Sequence, residues 1–404
     1  MVSSKLDPIP KQLILPSGFQ FAGLHSGIKE SGQPDMALFH ASEPCSTAAT
    51  YTQNEYRAAS ILRNEQMTPS DEILAVIVNS GNANACTGEL GKESNQEMAE
   101  RTARQLGIPP EKVLTLSTGI IGQQLPMEKV LPGIDQLVTN LSASDASFLS
   151  AAKAILTSDN GMKLDSMEFE AGSRRYHLSG CAKGAGMIGP NMATMLCLLQ
   201  TDMNISPAEL QRLLAGAVGR SFNSISVEGH TSTNDAVILM ANRTGPEAGE
   251  TELLEFEKQL EQMCVRLAKK IPADGEGASH LIEISVAGAT SDEHADRIAR
   301  CVAQSALVKT AITGNDPNWG RVMSAVGNAN VPIAAHASRL VINGCLLFDG
   351  GQPVAFDEQR ASRAMQGSFQ TDIEIVVGSG SGQATHWTSD LTVDYVRFNS
   401  EYTT

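Results

Sequence analysis

Lys183-Gly-Ala-Gly-Met-Ile-Gly-Pro-Asn-Met-Ala-Thr-Met-Leu196 is the stretch on which the reading of the fold turns. Gly184, Gly186 and Gly189 have the G-x-G-x-x-G spacing of a dinucleotide-binding βαβ unit, with a strand expected over Arg175–Cys181 and Asp202 suitably downstream. Such a unit carries its chain across the sheet on a helix between the last glycine and the next strand. Pro190 follows Gly189 at once and the next apolar run opens at Met195, leaving roughly five residues where about a dozen are needed. The segment therefore reads as a glycine loop between two strands.

Outward from that loop, short apolar strands alternate with polar-faced helices. Upstream, Ile73–Asn79 and Val113–Ser117 read as strands, the second running into a Thr118-Gly119 turn. Lys92–Leu106 reads as a helix stopped by Gly107, and Pro126–Leu137 and Ala146–Leu156 as two more. Downstream, strands are expected at Met195–Leu199, Ala236–Ala241, Leu281–Val286, Arg339–Ile342, Asp372–Val377 and Thr392–Phe398. Helices are expected at Pro207–Val218 with Ser206 as N-cap, at Glu252–Ile271 and at Glu293–Ile312. The alternation of Thr392, Asp394 and Arg397 with apolar neighbours suggests an antiparallel edge. Both halves mix helix and strand, so an α/β or α+β sandwich is the expected layering. Gly378-Ser-Gly380-Ser-Gly382 sits between strand signals and reads as a turn, and the tetrad GNAN at 81–84 and 327–330 has no accompanying period.

The chain has 404 residues, 42% of them hydrophobic and 19% charged, a globular balance long enough for two linked halves of domain size. A net charge of -15 repels phosphate backbones and anionic lipid, which argues against nucleic acid and membrane as partners. Seven cysteines (45, 86, 181, 197, 264, 301 and 345), an odd number without a C-x-x-C pair, suggest reduced thiols in a cytoplasmic protein. Pro8, Pro10 and Pro16 interrupt any apolar signal core at the N-terminus.

Familiar catalytic sets are missing from the sequence. The eight histidines (25, 40, 177, 230, 280, 294, 336 and 386) contain no H-x-x-x-H, and neither a G-x-S-x-G elbow nor a G-x-x-x-x-G-K-[ST] loop occurs. What remains is the loop itself, and two accounts of it stand. In one, a Pro190-Asn191 turn leads into a buried strand and Thr194 is an ordinary β-former. In the other, small residues expose the Ala193–Thr194 peptide bond to close approach. The Thr194 hydroxyl then attacks the Ala193 carbonyl, the amide becomes an ester, and water cleaves the ester. The liberated α-amine titrates near ~8, so part of it is neutral at physiological pH and can accept the hydroxyl proton. Thr194 would be nucleophile and base at once, with no histidine needed.

The run KGAGMIGPNMATML strongly resembles the self-processing motif of the ornithine acetyltransferase family of arginine biosynthesis, the glutamate N-acetyltransferases. The resemblance continues in order through VNSGNANACTG (78–88), LSTGIIGQQLP (116–126), TSTND (231–235), DGEGA (274–278), DPNWGR (316–321) and YVRFNSEYTT (395–404). It implies an α/β fold shared with self-processing aminopeptidases: a sandwich with helices between two β-sheets, plus a smaller α/β C-terminal portion. It implies cleavage at Ala193-Thr194 into fragments 1–193 and 194–404 that stay together as an α2β2 heterotetramer.

The implied chemistry is ping-pong acetyl transfer with no metal or organic cofactor. N-acetylornithine acylates Thr194 and ornithine leaves; glutamate then takes the acetyl group and departs as N-acetylglutamate. Acetyl-CoA is a second donor, a co-substrate, if the protein also has amino-acid N-acetyltransferase activity. Carried over by the same resemblance, Thr118 and Gly119 stabilise the oxyanion. Thr157, Lys183, Thr194, Glu276, Asn399 and Thr404 contact substrate, Lys183 suiting a carboxylate and Glu276 an ammonium. The sequence departs from the family at His230, in Glu228-Gly-His230 where acidic residues are common at both ends, and at Asn160, often Thr. These positions bear on substrate preference. The rival readings are a self-processing aminopeptidase or amidase of the same fold, with water as acceptor, and a non-catalytic binding protein whose chain stays intact.

Overall fold

The computed structural model describes residues 9, 10, 12–189 and 195–401. Its first half holds β1 (Phe19–Leu24), β2 (Met36–Tyr51), α1 (Ala59–Asn64), β3 (Ser70–Asn82), α2 (Gly88–Leu106) and β4 (Val113–Ile120). Then come α3 (Met127–Thr139), α4 (Asp145–Ala154), β5 (Lys163–Ala171) and β6 (Arg174–Lys183). Beyond the loop lie β7 (Leu196–Thr201), α5 (Pro207–Gly219), β8 (Ile225–Ser226), β9 (Ala236–Ala241), α6 (Glu250–Ala273) and β10 (Leu281–Ala289). They are followed by α7 (Asp292–Ala303), α8 (Ala306–Thr313), α9 (Trp319–Gly327), β11 (Arg339–Ile342), β12 (Cys345–Asp349) and β13 (Gln352–Pro353). The chain closes on α10 (Glu358–Gln366), β14 (Gln370–Val376), β15 (Gly382–Ser389) and α11 (Val393–Glu401).

Two mixed sheets result. The first has the order β4-β3-β2-β9-β7-β6-β5, with β1 added beside β2. Long β2 changes partners along its length, pairing Met36–His40 with β3 and Ser46–Tyr51 with β9. The second sheet runs β13-β12-β11-β14-β10-β15-β8.

Helix α6 shows why a helix layer lies between the sheets. Its Phe256, Leu260, Met263, Leu267 and Ile271 recur at helical spacing and are buried. They share one core with Leu178, Leu199 and Leu239 of the first sheet and with Leu281 and Trp387 of the second. On its far face the first sheet packs Phe39, Val76 and Leu198 against Phe148 and Ala151 of α4. The second sheet packs its far face on α7, α8 and α9 through Ile298, Val302, Ile312 and Val326. All seven cysteines are free thiols. No helix among the described residues is long and apolar enough to cross a membrane.

Two expectations are corrected. Glu293–Ile312 is two helices, not one: Ser305 breaks the run and caps α8, its hydroxyl accepting the Val308 N–H at 3.3 Å. Thr392–Phe398 is not a strand and makes no antiparallel edge. Thr392 instead starts α11, its hydroxyl accepting the Tyr395 N–H at 3.1 Å. Val393 and Val396 are 74% and 59% exposed, so the apolar members of the apparent alternation bury nothing. By contrast, Ser206 caps α5 and Gly107 ends α2 at φ 70°, as the sequence indicates.

Candidate active site

Lys183, the last residue of β6, pairs in antiparallel register with Leu196, the first of β7. The glycine segment therefore joins neighbouring antiparallel strands, where a βαβ unit needs parallel ones, which removes the nucleotide-binding reading on topological grounds. Ala193 and Thr194, the two residues of the expected cut, lie outside the described residues, as does Thr404. Met195, the next residue of the chain, is fixed. Its N–H donates to Asp235 Oδ1 at 2.8 Å, and its carbonyl accepts the Ala236 N–H at 3.2 Å.

Four separated segments meet beside this strand pair, around a cavity of about 300 Å³. Thr118 and Gly119 come from the end of β4, Thr157 and Ser158 from the turn after α4, Glu276 from the turn after α6, and Tyr395 and Asn399 from α11. Gly119 adopts φ 135° against Gly81 of β3; a Cβ there would lie 2.3 Å from the Gly81 carbonyl carbon, so no other residue fits. Gly186 is required for a different reason. A Cβ would lie 2.4 Å from the Glu276 carboxylate, so the loop's central glycine is what lets that carboxylate in.

Lys183 stands behind the cavity, 1% exposed. Its ammonium donates to Thr157 Oγ1 at 2.7 Å and to Thr118 Oγ1 at 3.3 Å. Burial lowers its pKa from the usual 10.5, while Asp159, Asp235 and Glu276 act to keep it charged and Lys163 opposes them. Glu276, 9% exposed, accepts the Ser158 hydroxyl at 2.6 Å on Oε1 and the Asn399 amide at 3.0 Å on Oε2. Five of the residues expected from the sequence thus line one cavity, and Lys183 bonds two of them.

Other groups join the site without having been assigned roles from the sequence. The Asp159 side chain is fully buried; its carboxylate takes the Gly184 N–H at 2.6 Å, the Thr157 N–H at 3.0 Å and the Lys163 ammonium at 2.7 Å. Burial acts to raise its pKa, but Lys163 and Lys183 override this and hold it well below the ordinary carboxylate range. Asp235 is raised well above that range, chiefly by burial, against the pull of the Met195 N–H and Lys183. Glu228 also lines the cavity, and its carboxyl is pushed up to about 7 by burial. The available signal is one of position only: Asp235 closes the TSTND stretch, Glu228 opens Glu228-Gly-His230, and Asp159 adjoins Asn160.

Comparison with known proteins shows the family. The chain matches the model of the ArgJ family over residues 20–404. The arginine biosynthesis bifunctional protein ArgJ of Rhodopirellula baltica is 42% identical over 396 residues, 97% of each chain. That of a Synechococcus strain is 42% identical over 417 residues, 100% of each. Among solved structures, ArgJ from Bacillus halodurans is 36% identical over 50% of this chain and 96% of its own, with a TM-score of 0.48. The ornithine acetyltransferase of Mycobacterium tuberculosis, solved with ornithine, is 37% identical over 44% of this chain and 95% of its own, with a TM-score of 0.42. The chain belongs to the ArgJ family.

Proposed function

We propose that the protein cuts itself between Ala193 and Thr194 and then moves acetyl groups through an ester on the Thr194 hydroxyl. It is an acetyltransferase of arginine biosynthesis, as its family is. In this reading N-acetylornithine acylates Thr194 and ornithine leaves, and glutamate accepts the acetyl group to become N-acetylglutamate, with acetyl-CoA as an alternative donor. The observation that carries the reading is the convergence of Thr118, Gly119, Thr157, Glu276 and Asn399 on one cavity, with Lys183 bonded to both threonines.

The roles follow from charge and position. Thr118 and Gly119, at the end of β4, supply donors to the oxyanion of the tetrahedral intermediate. Lys183 and Thr157 receive the carboxylate of the donor, and Glu276, set by Ser158 and Asn399, receives its side-chain ammonium. Thr404 completes the substrate contacts. The fragments 1–193 and 194–404 remain joined because strands from both form the first sheet, β6 of one against β7 of the other. Two such pairs make the α2β2 assembly, and the free cysteines suit the cytoplasm.

The test combines denaturing electrophoresis, N-terminal mass spectrometry and donor kinetics. Two fragments are expected, the second beginning at Thr194, and Thr194→Ala is expected to give an uncut, inactive chain. An active protein that stays whole, or that begins its second fragment elsewhere, overturns the reading. If glutamate fails to accelerate consumption of N-acetylornithine, the aminopeptidase or amidase reading with water as acceptor replaces it.

A further inference from the structure

Acetyl exchange between two amines leaves one proton unaccounted for in each half-reaction. When the Thr194 oxygen–acetyl bond forms and the acetyl–nitrogen bond of N-acetylornithine breaks, the hydroxyl proton can pass through the Thr194 amine to the leaving nitrogen. Ornithine leaves as an ammonium, which takes a second proton. Glutamate then arrives as an ammonium and must lose a proton before its nitrogen can attack. The Thr194 amine handles the proton exchanged with Thr194 Oγ, so a second group is needed for the other one.

We infer that Glu228 is this second group: as a carboxylic acid it protonates departing ornithine, and as the resulting carboxylate it deprotonates incoming glutamate. The neutral glutamate amine then attacks the ester. The new acetyl–nitrogen bond forms, the Thr194 oxygen–acetyl bond breaks, and the amine's remaining surplus proton returns through Thr194's own amine to Oγ. Glu228 ends each cycle protonated as it began, with no net exchange with solvent. This role rests on the acetyl-Thr194 reading above.

The geometry is specific. Glu228 lines the same cavity as Thr118, Gly119 and Glu276. Its Oε2 accepts the Met187 N–H at 3.1 Å and its Oε1 the His230 N–H at 3.4 Å, so backbone fixes both oxygens. The segment around it is tied to the glycine loop, with Val227 and Gly229 donating to the Ile188 carbonyl at 2.8 and 2.9 Å. A Cβ on Gly189 would lie 2.6 Å from the Gly229 carbonyl carbon, which keeps the two backbones in contact. The charged and titratable groups facing Glu228 are Lys309 from α8, Glu276 from the turn after α6, Tyr395 from α11 and the adjacent His230. Burial outweighs the His230 N–H and Lys309, which both favour the carboxylate, and a carboxyl brought to about 7 can give and take a proton at working pH.

The test uses Glu228→Gln and separates proton transfer from binding. Acetyl-enzyme is formed with N-acetylornithine, isolated, and mixed with glutamate or with hydroxylamine, which is already a neutral amine at neutral pH. At pH 7 discharge to glutamate is expected to slow by about 100-fold, within the range that general acid–base groups contribute. Discharge to hydroxylamine should change by less than about threefold, a difference that follows from the proton demand alone. The glutamate deficit should shrink as pH rises and glutamate loses its own proton. Equal loss toward both acceptors, or a glutamate deficit that ignores pH, overturns the inference. Should the Gln variant not fold, the wild-type discharge decides: a limb near pH 7 for glutamate and none for hydroxylamine is required, and Glu228→Asp should keep a limb at reduced rate. A wild-type protein carrying no acetyl group on Thr194 refutes the function reading itself.

Discussion

Lys163 and Lys183 are both fully buried, on the paired strands β5 and β6, and they have opposite fates. The Lys163 ammonium meets Asp159 and Asp274 at 2.7 Å each and the Gly161 carbonyl at 3.3 Å. Burial pulls its pKa down, but the two carboxylates win and raise it. The Lys183 ammonium has two hydroxyls and no carboxylate within ion-pairing distance among the described residues, and there burial wins. The first cation is saturated and ties the turn after α4 to the end of α6. The second is left short of countercharge, with the cavity in front of it. A buried ion without its full set of partners is costly to the fold, and that deficit is what an anionic substrate would relieve.

The comparison breaks if the two lysines respond alike to removal. Lys163→Met leaves Asp159 and Asp274 buried together with no cation between them, and should cost about 3–5 kcal/mol in urea unfolding. A loss under about 1 kcal/mol would mean that the triad does not hold the turn. Lys183→Met should behave inversely, lowering kcat/KM for N-acetylornithine by about 100-fold, equivalent to about 2.7 kcal/mol, without lowering the unfolding midpoint. The pH dependence of stability sharpens the contrast. Lys163, raised above 10.5, contributes fully below that pH and loses its contribution as pH climbs through the raised folded value. Lys183, lowered from 10.5, binds its proton less tightly when folded, so the wild type gains stability between the lowered value and 10.5. Lys183→Met should lack that rise, and a rise that persists in the variant would assign it to another group.

The same contrast explains what the sequence could and could not reveal. Strands such as Val113–Ser117 and Ala236–Ala241 were legible because they are buried on both faces, and apolar runs of that length have few alternatives. Long β2 is not legible in the sequence. Its Glu43-Pro44-Cys45 break and its run of Ser, Thr and Ala suggest a loop, and only pairing with β3 on one stretch and β9 on another makes it a strand. In α11 the apparent alternation came from valines that face solvent, while the helix-starting Thr392 was the better signal. At the site, Thr118, Lys183 and Glu276 came from motif resemblance. Asp159, Asp235 and Glu228 lie in or beside matched stretches, but they are ordinary surface-type residues until the fold buries them, and their position in the sequence does not say that a given acid will lose its water.

Asn399 gives the smallest effect and tests the rim of the site against its floor. It sits exposed on α11 and gives Glu276 one amide hydrogen bond of 3.0 Å, while also donating to the Tyr395 carbonyl at 3.1 Å. Asn399→Ala leaves Glu276 with the Ser158 hydroxyl and access to water, so the charge is not stranded as it would be beside Lys163. A single exposed bond of this kind contributes about 1 kcal/mol. Steady-state kinetics should show KM for N-acetylornithine rising by about fivefold with kcat nearly constant, and thermal unfolding should not move. A large fall in kcat would place α11 with the buried cations as part of the machinery that acts only in the transition state, because an interaction that merely seats the substrate changes KM alone.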